Sequence, residues 1–474
     1  NAVLHAFRDI FYDWNEKNPF LYGISWTSVM EVAIRAISQM YALAFLSAAQ
    51  ISDKQLIDQL ETSIINCINY ITRHYSRYSS ANNHLLVEMT AIGLAGYTFD
   101  IPKWRKLAVE TLTEQLHLQT YPDGVNREVS LHYHSFAMEA YLLLANVMLA
   151  AGEELPTQWQ PMLDKMATFL ASSMVDDKTA IEFGDSDEGK IIDLQGGRDF
   201  NHYEYVLQLA SFITRKRYHS FSTISESIYW LYPDHIINKT KELPLVDVVQ
   251  SKTFTEGGYS FLRSRDNRTI VAIDHAALGF GTIAAHGHDD ALSFQLYRDG
   301  KPIFGDPGTG IYHCNLPLRN RLRDARHHST VTINGRVNAE MRGAFLWGRK
   351  PMTSLYISEL TPDVDTIIAD TIGLSGIKHR RKFTFDKISS TLIIDDEFEQ
   401  VCDWVETFVI APGVDVDING NRAELSQGLT LSSAEGKLSV HDGEYSQSYG
   451  CLTRCNILTT TGHGKSNTII IEPK

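Results

Sequence analysis

One change of texture divides this chain. From Thr27 to about Trp230 the apolar residues recur at helical spacing, and beyond Pro244 they fall into short runs that alternate one by one. Helices first and strands afterwards predict an α+β chain of two domains, residues 1–240 and 245–474, joined near 235–250. In the first clear helix Met30, Ala33, Ile34, Ile37, Tyr41, Ala44 and Phe45 mark one face, and Ser28-Val29-Met30-Glu31 has the form of a capping box. Further helical patterns cover roughly 55–75, 83–96, 103–118, 134–151, 160–173 and 203–216, which implies helix pairs packed as a bundle, a solenoid or a closed ring. The later runs at 269–274, 292–297, 329–334, 382–386, 391–396 and 405–410 are rich in Val, Ile, Thr and Phe. Arg298-Asp299-Gly300 signals a tight hairpin turn among them, and a β-sandwich is expected.

With 474 residues, 43% of them hydrophobic, the chain can bury a large core. The most apolar stretch, 29–49, is interrupted by Glu31, Arg35 and Gln39, so no membrane span is expected. The N-terminus lacks an initiator Met and a signal pattern, which suggests a mature or trimmed form. Five cysteines without CxxC spacing define neither a disulfide framework nor a metal knuckle. The formal charge, 43 − 57 = −14, argues against a nucleic-acid partner. Yet Arg319, Arg321, Arg323 and Arg326 lie within eight residues, followed by Arg336, Arg342, Arg349 and Lys350, a local basic patch suited to a confined anionic ligand.

Coordinating side chains concentrate between 285 and 329. His286-Gly287-His288 is followed by Gly305-Asp306-Pro307-Gly308 and by Arg326-His327-His328-Ser329, more ligating groups than a core needs. On a strand His286 and His288 would share a face, while Gly287 would let another backbone approach. His288, Asp306 and His328 form a two-His, one-carboxylate set suited to zinc.

Three further clusters lie in the helical half. Ser79-Ser80-Ala81-Asn82-Asn83-His84 precedes a helix, and two Asn plus a His exceed what an N-cap requires. Asp123-Gly124-Val125-Asn126-Arg127-Glu128 leads to His132-Tyr133-His134, where a phenol flanked by histidines can act as acid or base. Gly184-Asp185-Ser186-Asp187-Glu188-Gly189 has the composition of a calcium loop without its twelve-residue ligand pattern, and reads better as a turn with Asx hydrogen bonds.

Together these segments resemble the heparinase II/III-like polysaccharide lyases. The matching pieces are residues 26–35, Asn82-Asn83-His84, 123–134, Glu256-Gly257-Gly258-Tyr259, 284–291, 305–309 and 328–331, in the family's order over about two thirds of the chain. The resemblance implies an N-terminal incomplete (α/α) toroid followed by a C-terminal antiparallel β-sandwich. It also implies β-elimination on a uronic-acid polysaccharide, which leaves an unsaturated uronate end. A glycosaminoglycan such as heparan sulfate or hyaluronate, alginate or another acidic glycan would serve, acted on in the bacterial periplasm or after secretion. By the same resemblance Asn83 and His84 meet the substrate carboxylate, Tyr133 is the acid and shares or holds the base role, and His286 is base or stabiliser. His288, Asp306 and His328 then hold one divalent metal, zinc with calcium or manganese as alternatives, in a structural role. Asn82, Glu128, His134, Arg323 and Arg326 complete the expected substrate-binding set, and the oligomeric state, a homodimer included, stays open.

Elimination explains the residue types. Removing the C5 proton of a uronate places charge beside a carboxylate, which is prohibitive unless that carboxylate is neutralised or hydrogen-bonded. A base must take the proton and an acid must protonate the leaving glycosidic oxygen. Two other classes remain: a glycoside hydrolase using Asp123 with Glu128 or Asp185 with Asp187, and a binding protein for acidic glycans.

Overall fold

The computed structural model describes residues 2–195 and 200–474 apart from the side chain of Ser79, so that part of the polar run at 79–84 lies outside the described residues. Contacts divide the chain into two compact units. One comprises Asn1–Leu118, Phe136–Gln160 and Lys190–Gly196; the other comprises Gln119–Ser135, Pro161–Gly189 and Gly197–Lys474.

The first unit is helical. Its elements are α1 (Ala2–Lys17), α2 (Val29–Ala48), α3 (Lys54–His74), α4 (Asn83–Thr98), α5 (Pro102–Gln119) and most of α6 (Leu131–Ala150). Their starts follow from side chains that accept otherwise orphaned amides: Ser28 caps Glu31 N at 3.4 Å, Asp53 caps Leu56 N at 3.1 Å, and Asn82 caps His84 N at 3.3 Å. The expected cap at Ser28 is therefore present. Helix α4 is buried on almost every side, from Asn83 through Gly96 with only His84 half-exposed, so it forms the core of this unit. A Cβ at Gly93 would sit 2.8 Å from Leu144, which shows how closely α4 and α6 approach, and Thr90 Oγ1 donates to Ala140 O at 3.0 Å. Among the described residues α2 is the one helix long and apolar enough to cross a membrane, a test that a core helix also passes, and Val32, Ala33, Ala36 and Ile37 are buried in the fold.

In the second unit helices α7 (Trp159–Ser173) and α8 (His202–Thr214) precede the strands, which begin at Lys252. The helical N-terminal region followed by an antiparallel β domain is the architecture that the change of period predicts. A 15-stranded sheet runs antiparallel throughout its named pairs. The runs expected at 391–396 and 405–410 are one long strand, Thr391–Ile410, paired with Cys451–Pro473 from Leu392↔Ile471 to Ile410↔Asn456. Strand Lys378–Asp386 alternates between half-buried and buried positions along its whole length, as period two requires. Phe294, Phe304, Phe383, Phe408, Ile469 and Ile471 meet in the main core, where full burial of each side chain contributes about 2 kcal/mol. The hairpin Phe294–Arg298 to Lys301–Phe304 turns at Asp299 and Gly300, whose φ values of 52° and 78° are those a two-residue turn of this hand demands.

Strands Thr269–Asp274 and Phe294–Arg298 pair directly, and the intervening residues 275–293 leave the sheet. This excursion carries His286, His288 and Asp290. The two histidines thus lie in an irregular loop, His286 in a turn, and not on a strand as expected, because the regular ladder ends at Asp274 and resumes only at Phe294.

Candidate active site

The site is built here from residues of the second unit. Gly287 has no room for a side chain, since a Cβ would lie 1.6 Å from Leu278 O. The turn is therefore pressed against another backbone as its glycine suggests. His286 and His288, though not on a strand, converge on one carboxylate: His286 Nδ1 lies 3.1 Å from Asp185 Oδ2, and His288 Nε2 lies 2.9 Å from Asp185 Oδ1. Arg319 completes the hub, donating Nη2 to Asp185 Oδ2 at 2.6 Å and Nη1 to Oδ1. Burial opposes charge on Asp185, but the Arg319 guanidinium and the two histidine hydrogen bonds outweigh it and hold the carboxyl well below its usual range.

The loop bearing Asp185 reaches this position through Gly184. With φ at +66° and a notional Cβ only 2.4 Å from Val129 O, that position accepts glycine alone. Asp185 N then donates to His286 O at 3.0 Å, and Ser130 Oγ donates to Asp185 O at 2.6 Å.

Tyr133 enters from the first turn of α6, where its amide donates to Ser130 Oγ at 3.1 Å. Its ring stacks on His286 with centroids 3.6 Å apart and planes 19° from parallel. The phenol oxygen lies 3.2 Å from Asp187 Oδ2 and 3.2 Å from the hydroxyl of Tyr312. Burial, followed by the charge of Asp187, pushes the Tyr133 phenol well above its ordinary value, so it stands as a neutral acid. His132 Nε2 lies 3.2 Å from the other oxygen of Asp187, and Glu128 Oε2 lies 3.7 Å from His286 Nε2.

Beside this group His288, Asp290, Asp306 and His328 are all buried, with one potential ligand atom of each within 4.8 Å of the others. His328 Nδ1 lies 3.2 Å from Asp306 Oδ2. Among the described residues His288 Nδ1 and His328 Nε2 are buried with no hydrogen-bond partner, so each remains available as a ligand atom. Two imidazoles and two carboxylates fit a divalent cation, and the Asp185 carboxylate behind His288 is the outer partner such a ligand usually has.

Other expected residues belong to the first unit or take different roles. Asn82, Asn83 and His84 stand at the start of α4 in the first unit, Asn82 as its cap. His134 is not open to substrate: it is buried, its Nδ1 accepts from Asn126 N at 3.2 Å, and its Nε2 donates to Met166 O at 3.0 Å. Burial lowers its pKa to about 4, so it is a neutral structural histidine. Arg323 also departs from expectation. It is fully buried, donates to Ala344 O at 3.1 Å, to Asn320 Oδ1 at 2.9 Å and to Gly343 O, and stacks over Trp347. The guanidinium is spent on anchoring 343–347. Arg326 is exposed and bidentate to Asp324 at 2.8 Å. Asp123, a candidate hydrolase acid, accepts the amides of Glu256 and Gly257 at 2.8 and 2.9 Å.

Sequence reasoning gave Asp185 and Asp187 only to the hydrolase alternative and Arg319 only to a basic patch, and it did not name Asp290 or Tyr312 as members of the site. The signal for the first two was present in Gly184-Asp185-Ser186-Asp187, where two acids two residues apart follow a glycine.

Known proteins match this chain along most of its length. Residues 3–206 match the family described as heparinase II/III N-terminus, and residues 247–472 match heparinase II/III-like, C-terminal. A heparin-sulfate lyase of Bacteroides stercoris is 24% identical over 330 residues, covering 67% of this chain and 44% of the relative. One of Pedobacter heparinus is 24% identical over 343 residues, covering 68% and 47%. The chain spans about half the length of these curated relatives. The crystal structure of heparan sulfate lyase HepC from Pedobacter heparinus superposes with a TM-score of 0.69 at 19% identity, over 98% of this chain and 72% of that one, a likeness of fold.

Proposed function

This chain belongs to the heparinase II/III-like family, and from that premise we propose that it is a polysaccharide lyase acting on an acidic, uronate-containing glycan of the heparan sulfate class. The observation that carries the reading is the stack of Tyr133 on His286 at 3.6 Å, an acid and a base side by side.

Each residue has a part in elimination. With Nδ1 turned to Asp185, His286 carries its proton there and keeps the Nε2 lone pair for the C5 hydrogen of the uronate. Tyr133, held neutral, gives its proton to the glycosidic oxygen as that bond breaks. The resemblance assigns the substrate carboxylate to Asn83 and His84, whose amide and ring suit an anion that gains charge in the transition state. His288, Asp290, Asp306 and His328 would hold a divalent cation, zinc being the ion this donor set favours, and such an ion would supply a fixed positive charge beside the site. His288 and His286 share Asp185, so order at one supports order at the other.

Hydrolysis is less well supported, because it needs two carboxylates free to act as acid and base. Asp185 is locked by Arg319, Asp123 holds backbone amides, and Asp187 is engaged by His132 and Tyr133. A polymer substrate also suits action in the periplasm or outside the cell, which fractionation of the native host would test. The direct test of activity is ultraviolet absorbance during incubation with heparan sulfate, hyaluronate and alginate. A rise from the conjugated unsaturated uronate is expected with one of them; new reducing ends without that rise would overturn the reading.

A further inference from the structure

The loop Gly184-Asp185-Ser186-Asp187-Glu188-Gly189 delivers two carboxylates to two different reacting groups, Asp185 to His286 and Asp187 to Tyr133. The second contact, together with Tyr312, fixes the direction of a proton. A phenol has one hydrogen to donate, and an ionised carboxylate only accepts. Burial opposes the charge of Asp187, but the His132 imidazole, 3.2 Å from its other oxygen, leads the effects that keep its carboxyl below the usual range, hence ionised. Tyr133 therefore donates to Asp187, and the Tyr312 hydroxyl, 3.2 Å away, donates to Tyr133.

We propose that Asp187 and Tyr312 are positioning residues for Tyr133, one accepting the hydrogen bond of its phenol in the resting state and the other stabilising the oxygen once the proton has gone. The inference rests on the elimination reading above and adds two residues to it. As the bond from sugar carbon to glycosidic oxygen breaks, the Tyr133 O–H bond breaks and its proton forms an O–H bond on the leaving oxygen. The electron pair stays on Tyr133 as a phenolate. The hydrogen bond from Tyr312 then runs to a full negative charge and strengthens, while the Asp187 anion, now beside another anion, favours return of the proton. The C5 proton has meanwhile moved to His286. Its transfer to the Tyr133 phenolate restores both groups, with no other reactant consumed.

The charges around Tyr133 make the two contacts separable. Asp187, Asp185 and Glu128 all raise its proton affinity, and Tyr312 lowers it; His286 lies stacked on the ring and His132 edge-on at 5.3 Å. Tyr312 in turn has the Arg319 guanidinium 5.2 Å from its ring. Removing Asp187 and removing Tyr312 should therefore push the phenol in opposite directions, which loss of packing alone would not do.

The experiment compares Asp187→Asn and Tyr312→Phe with the unmodified protein in two readouts. In an ultraviolet phenolate titration with Tyr133→Phe as the blank, Asp187→Asn should ionise Tyr133 at lower pH than the unmodified protein, and Tyr312→Phe should not. In turnover, Tyr312→Phe should lower kcat on the polymer by about tenfold or more with KM within about twofold. It should recover on a uronide whose leaving group, fluoride, needs no proton. Tyr312→Phe keeps the ring, so it remains informative if Asp187→Asn folds poorly. A phenolate shift of the same sign in both variants, no shift in Asp187→Asn, or a kcat loss that persists with fluoride would overturn the proposal. If the unmodified protein eliminates no acidic polymer, the elimination reading fails and the catalytic role with it. Normal elimination by both variants would sink the inference alone.

Discussion

The same three side-chain types, His, Asp and Arg, meet twice in the second unit with different consequences. In the sheet, Asp396 receives Arg381 through Nε at 2.7 Å and Nη2 at 2.9 Å and also pairs with His379, whose ring stacks on Phe398. At the candidate site Asp185 receives Arg319 through both Nη atoms and pairs with His286 as well as His288, but the ring of His286 stacks on Tyr133, and its far nitrogen lies near Glu128. Both aspartates are buried and both are held ionised chiefly by their arginines. The triad by itself is a way to bury a carboxylate; what the second nitrogen of the histidine faces decides whether it can do chemistry.

The strongest way to break this comparison is to remove each arginine. Arg381→Met and Arg319→Met should each cost about 3–5 kcal/mol, because each strands a buried carboxylate, measured by urea unfolding. Arg381 also donates to Leu292 O and Ser329 O, so its loss should loosen the ends of the two loops that carry His288 and His328. Arg319→Met should in addition lower kcat far more than Arg381→Met under conditions where both variants remain folded, since that triad holds His286 directly. Equal activity losses at equal folded fraction would end the distinction.

The cluster of His288, Asp290, Asp306 and His328 sharpens the contrast, for it has two carboxylates and no arginine among its four members. Its missing positive charge is expected from a bound divalent ion. Chelation should therefore lower stability by about 3–4 kcal/mol where the ion had been present at hundreds of times its Kd, read as a fall in Tm that added zinc restores. A chain purified without added metal that contains none by elemental analysis, and whose Tm ignores both chelator and zinc, would refute the site.

A buried acid without any guanidinium gives a smaller effect of opposite sign in pH. Glu88, in α4 of the first unit, accepts Ser76 N at 2.6 Å and Ser76 Oγ at 2.8 Å, yet burial pushes its pKa up to about 7. A raised carboxyl contributes most below its unfolded pKa, and that stability is lost as pH rises from about 4.5 to about 7, on the order of 2–3 kcal/mol. The Asp185 and Asp396 carboxyls, depressed below their unfolded values, lose their contribution only as pH falls. Unfolding of Glu88→Gln at pH 5 and pH 7.5 should show a flatter dependence than the unmodified protein. The smallest effect is expected at Arg326, exposed and paired with Asp324, where Arg326→Ala should change stability by less than about 1 kcal/mol, whereas Arg323→Ala, which empties a buried anchor, should cost several times more.

Much of the fold was legible because its signals are local. The switch of period near residue 244 marks the passage from helices to strands, Asp299-Gly300 makes the hairpin turn, and Ser28 caps its helix. The composition of the site was legible in part: Tyr133, His286, His288, Asp306 and His328 come together within one unit. The rest was hidden because a residue type does not report burial. Asp185 in a Gly-rich loop has the local signature of an Asx turn, and only tertiary contacts reveal Arg319, 134 residues away, on its carboxylate. His134 and Arg323 have the right chemistry for an anionic substrate, but His134 is closed by Asn126 and Met166, and Arg323 by Gly343 and Ala344.

The pairing of Tyr133 with His286 as acid and base is tested most directly by the mass of the product from a defined heparan sulfate oligosaccharide, for the unmodified protein and for Tyr133→Phe. Elimination predicts one fragment lighter by a water molecule than its hydrolytic counterpart, and no such fragment from a folded Tyr133→Phe variant. Products carrying the added water, or full activity without the Tyr133 hydroxyl, would contradict the account.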